Sequence, residues 1–182
     1  MTITINGDGT IGGVSVGGLP DGIVDTDMLA SAAVTSAKVG SLADSNLPAG
    51  SVLQVVYGWT NTSSSTSSNS MQDTGLTATI TPSSTSNKIL ILISQQGYVQ
   101  SDNGLQLQLM RGATTIWYNA NATHTQYAGA NWQSHPHIHY DSPSTTSAVT
   151  YKTQYCSRDN GETVGVQGNN YLSTITLMEI AA

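Results

Sequence analysis

Two kinds of hydrophobic pattern follow one another along this chain. Over residues 1–48, single aliphatic residues stand among Gly, Ala, Ser and Asp, with no aromatic residue. From Ala49 onward the chain carries all of its Trp and Tyr, on segments that alternate with a period of two. Such segments predict strands at 53–59, 76–80, 88–94, 105–110, 114–118, 137–140, 149–155, 163–166 and 172–180. Thr81-Pro82-Ser83-Ser84, Asp102-Asn103-Gly104, Asp141-Ser142-Pro143 and Asp159-Asn160-Gly161 punctuate them as turns. Residues 61–70 are Asn, Ser and Thr with no apolar partner and read as a solvated loop. The expected fold is mainly β, with residues 49–182 forming a β-sandwich, jelly-roll-like knob.

Two of these segments say more than their length. Leu105-Gln106-Leu107-Gln108-Leu109 has one apolar face and one amide face, so one side meets water. In the last strand Ile175 and Leu177 lie on one face, and Leu172, Met178 and Ile180 on the other. A strand apolar on both sides is covered on both sides. In a single sandwich the second cover would come from a neighbouring subunit.

The first 48 residues hold too little apolar bulk for a core of their own. They do hold a repeat: Val24, Leu29 and Ala30 correspond to Val34, Val39 and Gly40 at a period of ten residues. Each unit is an aliphatic residue, a capping Asp25 or Thr35, and about one helical turn. One turn is unstable alone in water. Three copies around an axis would bury Val24, Leu29, Val34 and Val39 against their counterparts, making residues 1–48 an attachment segment and trimeric shaft. Upstream, Thr2-Ile3-Thr4-Ile5 alternates as a strand before the turn-forming Asn6-Gly7-Asp8-Gly9, and residues 1–22 would dock on another protein of the particle.

Composition narrows the class. Only 9% of residues are charged, the net charge is −6, and polarity comes from 23 Ser and 24 Thr. Five basic residues form no stripe, which argues against nucleic acid. The longest aliphatic run, Ile89-Leu90-Ile91-Leu92-Ile93, is far shorter than a membrane span, and no secretory signal opens the sequence, so membrane insertion is not expected. Cys156, the single cysteine, reads as a small buried hydrophobe.

Several stretches together resemble the short trimeric tail or head fibres of tailed bacteriophages. They are Thr2-Ile3-Thr4-Ile5-Asn6-Gly7, Ala33-Val34-Thr35-Ser36-Ala37-Lys38, Gly50-Ser51-Val52-Leu53-Gln54-Val55-Val56, Thr150-Tyr151-Lys152 and Ser173-Thr174-Ile175-Thr176-Leu177-Met178-Glu179-Ile180. The resemblance implies a homotrimer on the virion surface, attached through its N-terminal end, with the knob meeting a glycan or protein of the host cell. A capsid decoration or baseplate component with no receptor is the alternative.

Candidate chemistry is sparse. His135-Pro136-His137-Ile138-His139 is the densest group of metal-capable side chains. On a strand His137 and His139 share a face, joined by His135 if Pro136 does not bend the chain. Three copies would place them around a threefold axis, where an ion has a site; a plain polar strand face is the other reading. The knob lacks the nucleophile elbow, zinc-protease and phosphate-loop motifs, and its carboxylates fall in turn-like contexts, Asp141 above all. No enzyme and no resident cofactor are expected. Residues 118–139 show no clear alternation, concentrate Tyr127, Trp132, His135, His137 and His139, and read as an irregular host-contact surface. Trp117 reads as core, and Glu179 as the partner of a basic residue.

Overall fold

A computed structural model describes residues 4–5, 11–12, 46–100, 103–125, 131–159 and 161–182. The chain divides into two compact units, Met1–Leu42 and Ala43–Ala182. In the first, the described residues are two short strands, β1 (Thr4–Ile5) and β2 (Ile11–Gly12), paired antiparallel with Ile5 opposite Ile11. The shaft repeat with Val24, Leu29, Val34 and Val39, and most of the docking segment 1–22, lie outside the described residues.

The second unit is built from β3 (Val52–Thr60), β4 (Ser64–Thr66), β5 (Gln72–Ile80), β6 (Lys88–Val99), β7 (Asn103–Arg111), β8 (Thr114–Thr125), β9 (Asn131–Asp141), β10 (Val149–Ser157), β11 (Val164–Val166) and β12 (Ser173–Ile180). They make two antiparallel sheets. One runs β5-β10-β7-β8; the other runs β3-β12-β6-β11-β4, with β9 on the free side of β6. The sheets pack face to face as a β-sandwich. Leu76, Ile80, Leu109 and Tyr151 of the smaller sheet meet Ile89, Ile91, Ile175 and Leu177 of the larger in one fully buried cluster. A second cluster gathers Val99, Leu105, Leu107, Tyr155, Val164 and Val166. Trp117 packs against both, as its sequence context predicts.

Leu105, Leu107 and Leu109 are buried while Gln106 and Gln108 are half-buried on the opposite face, as the alternation requires. Gln108 donates to Gln154 (2.6 Å), and Gln154 donates to Asp73 (2.7 Å), so the outer face of the smaller sheet is a ladder of amides and hydroxyls.

Four expectations change. Residues 61–70 contain a strand, β4, because Ser64–Thr66 pairs with β11 and not because of any apolar pattern. β6 runs on to Val99, since Gln95, which with Gln96 looks like a strand end, is buried in the fold and the ladder to β9 continues through both. Asp141 is no turn residue: it ends β9, 8% exposed, with Arg111 bridging both its oxygens (2.9 and 3.0 Å) and the Tyr151 hydroxyl donating to it (2.7 Å). Glu179 has no cationic partner; it is fully buried and accepts from Asn87, Ser83 and Gln54. Burial pushes its carboxyl up, but those donors together outweigh burial and hold it below its ordinary value.

The outward face of the larger sheet is the unusual surface. Cross-strand rows run Val55–Met178–Leu90–Tyr140 and Tyr57–Thr176–Leu92–Ile138, then Trp59–Thr174–Ser94–Pro136. Val55, Tyr57, Trp59, Ile138 and Tyr140 are between 56% and 67% exposed. Together they form a contiguous apolar and aromatic surface left in water, of the kind that marks an interaction site. Ile175 and Leu177 are buried on the inner side, so β12 is apolar on both faces with cover on one.

Candidate functional site

Between the two hydrophobic clusters lies a belt of buried polar side chains. Along β6, Gln95 falls between Ile93 and Val99; along β10, Thr153 falls between Tyr151 and Tyr155. The Thr153 hydroxyl donates to the Gln95 carbonyl oxygen (2.8 Å) and pairs with the Thr74 hydroxyl (2.6 Å). The Gln95 amide donates to Ser173 Oγ (3.1 Å), which also accepts from the Gln96 N–H (2.9 Å). Gln167 completes the belt. With its carbonyl oxygen toward the donors, it accepts from Gln95 and Ser173 while its amide reaches the carbonyls of Thr74 (3.2 Å) and Thr62 (3.3 Å). Gln167 is fully buried, and its polar atoms are all matched, which is the condition for tolerating an amide in a core.

That anchor holds an unusual turn. Gln167, Asn169 and Asn170 have φ of 49°, 53° and 59°, three left-handed residues within four. Asn adopts this conformation more readily than most residues, but a run of three costs backbone energy that the surrounding structure must supply. The buried Gln167 side chain supplies it. The turn, Gly168–Asn170, closes with the Tyr171 N–H donating to the Gly168 carbonyl (3.1 Å) and leaves Asn169, Asn170, Tyr171 and Leu172 exposed.

Trp132 lies against this turn. It is opposite Tyr98 in the β6–β9 ladder, and the two rings stack with centroids 4.4 Å apart. Tyr171 meets the Trp132 ring edge-on at 5.9 Å. The stack lies flat because glycines floor it: a Cβ at Gly165 would run into the Tyr98 ring, and one at Gly168 into the Trp132 ring. Tyr98 is thereby buried, while Trp132 stays 38% and Tyr171 52% exposed.

The histidines are on the other side of the sheet. β9 is an edge strand paired to β6, where proline is tolerated, and Pro136 sits in it opposite Ser94 without bending it away. His135, His137 and His139 therefore share one face, the inner one, and Trp132 takes the opposite face. His135 Nε2 hydrogen-bonds the Thr123 hydroxyl (2.6 Å). His137 stacks on Trp117 at 3.9 Å, and its Nε2 is buried without a hydrogen-bond partner. Burial lowers the pKa of both rings, helped at His137 by the neighbouring His139. The His137 and His139 rings are 5.9 Å apart, and among the described residues no three His, Cys, Asp or Glu side chains gather as a ligand set.

Of the stretch 118–139, the described residues 118–125 and 131–139 are strand, not irregular. β8 continues to Thr125 and β9 begins at Asn131. Asn119-Ala120-Asn121-Ala122 offers no apolar alternation to read, yet pairing with β7 makes it a strand with a shift in register between Leu105 and Leu107. Tyr127 lies outside the described residues. Nothing in the hydrophobic pattern singles out Tyr98, Gln167, Asn169, Asn170 and Tyr171. The run Gln167-Gly168-Asn169-Asn170 beside an aromatic was the available signal, a dense turn composition between two strands.

Among the described residues, a concavity of about 160 Å³ lies on the smaller sheet around Leu76, Thr77 and Thr153. The Lys152–Asp73 ion pair borders it (2.8 Å), and nothing in it points to chemistry. Among the described residues no helix is long and apolar enough to cross a membrane. No protein-family model matches the chain, and no curated protein matches it.

Proposed function

We propose that this chain is a homotrimeric virion fibre protein of a tailed bacteriophage, whose β-sandwich meets the surface of the host cell. The observation that carries the reading is the outward face of the larger sheet. Three rows across β3, β12, β6 and β9 present Val55, Tyr57, Trp59, Ile138 and Tyr140 to water on a domain whose other outer face is polar. A contiguous exposed apolar face of this kind marks a surface that a partner covers. Its occupant in this reading is a second and third copy of the chain. The three rows contain no charged residue to oppose an identical neighbour, Lys88 standing in the next row opposite Ile180, and the ten-residue repeat of residues 24–40 asks for the same company.

The strand orders β3-β12-β6-β9 and β5-β10-β7-β8 fit the jelly-roll reading of the knob, since consecutive strands mostly alternate between sheets. A chain that is 9% charged and rich in hydroxyls suits the outside of a particle, and its role in this reading is adhesion, not catalysis. Three knobs on one shaft raise a weak single-site affinity through avidity. Sedimentation equilibrium of the purified chain tests the assembly: three times 19.0 kDa is expected, and a 19.0 kDa monomer at micromolar concentration overturns it. Preincubating host cells with the purified chain tests the adhesion. Plaque counts of the phage that carries it should fall.

A further inference from the structure

The outer face of the larger sheet has a second region. From the Trp59–Thr174–Ser94–Pro136 row, Trp132 stands four residues further along β9, about 13 Å away at strand spacing. Here the rings are not simply exposed; they are mounted. Gly165 and Gly168 floor the stack, Tyr98 backs Trp132, and the left-handed turn brings Tyr171, Asn169 and Asn170 to its rim. A surface kept only for folding has no need of three left-handed residues or of a fully matched buried amide beneath them; such strain persists where the conformation it enforces is used.

We infer that Trp132, Tyr171, Asn169 and Asn170 form a binding site for a neutral pyranose of a surface polysaccharide. This rests on the adhesion reading above and names its ligand class. Aromatic ring faces take the C–H face of a sugar, and side-chain amides read its hydroxyls, each with both donors and an acceptor. The charge is what selects the ligand. Residues 131–139 and 163–178 contain no Asp, Glu, Lys or Arg. An acidic sugar would leave its carboxylate unpaired here, whereas a neutral hexose brings no charge to desolvate. His135, the nearest cationisable side chain along β9, faces the opposite side of the sheet and is bonded to Thr123.

The experiment is saturation-transfer NMR on the full-length chain with glucose, galactose, mannose, N-acetylglucosamine and rhamnose, and with sialyllactose as the acidic probe. It is run on the parent, Tyr171→Ala, Trp132→Ala and Asn170→Gly, with sedimentation and melting on every sample. At least one neutral sugar should receive saturation through its C–H protons, with sialyllactose receiving none through its acidic residue. Tyr171→Ala and Asn170→Gly, both at exposed positions, with glycine keeping the left-handed turn, should weaken that binding by about tenfold or more while melting and mass stay at parent values. Should Trp132→Ala expose Tyr98 and melt early, the other two variants still decide. The site is overturned if no neutral sugar is saturated, if both exposed variants bind as the parent does, or if they lose assembly instead of sugar. A trimer that binds no sugar removes this site and leaves the fibre reading standing. A monomer that binds sugar does the reverse.

Discussion

The two sheets of this sandwich have similar inner faces and opposite outer ones. Outside the smaller sheet, the row Asp73–Gln154–Gln108–Tyr118 is tied across strands by side-chain hydrogen bonds, and Thr79 pairs with Thr150 (2.8 Å). Outside the larger sheet, the equivalent rows are mainly Val, Tyr, Trp, Leu, Met and Ile, with Thr174, Thr176, Ser94 and Pro136 among them. Both ladders satisfy their backbones equally well, so hydrogen bonding does not explain the difference. What differs is the medium each face is made for. The polar ladder is complete in water; the apolar rows are complete only against another surface. On this comparison, folding is stored inside the sandwich, and the proposed assembly would use the outside of the larger sheet alone.

The largest effect should come from charging the apolar rows. Tyr57→Glu with Ile138→Glu places two carboxylates per copy in the proposed contact, where each loses water and meets its own kind. Sedimentation should show the trimer's dissociation constant rising at least about a thousandfold, ~4 kcal/mol, with melting of the isolated domain little changed. Thr79→Glu with Thr115→Glu on the outer face of the other sheet should leave the mass alone. If the two pairs behave alike, the contrast between the faces carries no meaning for assembly.

Next in size is a break inside the sandwich. Glu179→Ala strands the Ser83 N–H and the amides of Asn87 and Gln54 and should cost about 3 kcal/mol of stability, read by chemical denaturation, without altering the state of association in the folded protein. Its pH counterpart has a definite sign. Because the folded carboxyl is held below its ordinary 4.5, Glu179 stabilises the fold fully above that value, and the contribution is lost as pH falls through the folded pKa.

A smaller effect belongs to His135 and His137. Their folded pKa values lie below the ordinary 6.5, so the unfolded chain takes up protons first as pH drops beneath 6.5. Melting should fall by a few degrees from there downward, then level once the folded rings titrate. His137→Gln with His135→Gln should flatten that segment of the curve. The smallest effect is expected on the polar ladder itself. Lys152→Ala loses an exposed pair with Asp73 and should change stability by less than about 1 kcal/mol.

How much of this was legible depended on which force made each element. Strands with an apolar face, such as Leu105 to Leu109, announced themselves through alternation. β4 and the end of β8 did not, because Ser64–Thr66 and Asn119 to Thr125 are strands by virtue of their partners. The site was half legible. Trp132 stood out among Asn131 and Gln133, and the shared face of His137 and His139 followed from strand geometry. That Trp132 and the histidines sit on opposite faces follows from the same parity, yet treating 118–139 as irregular concealed it. Tyr171 was invisible as a partner, since 39 residues separate it from Trp132 and only the sheet brings them together.

By itself, the sequence determined the β class of residues 49–182, the alternation that buries Leu105, Leu107, Leu109, Ile175 and Leu177, and the two-faced character of β12. These rest on local periodicity, which each segment carries within itself. Tertiary structure alone decided that Gln95 and Thr153 would meet across the sheets, that Gln167 would be buried beneath a strained turn, and that Gly165 and Gly168 would floor an aromatic stack. Each of those depends on which strands are neighbours. That is a choice made by the burial of the whole sandwich and not by any one stretch of it.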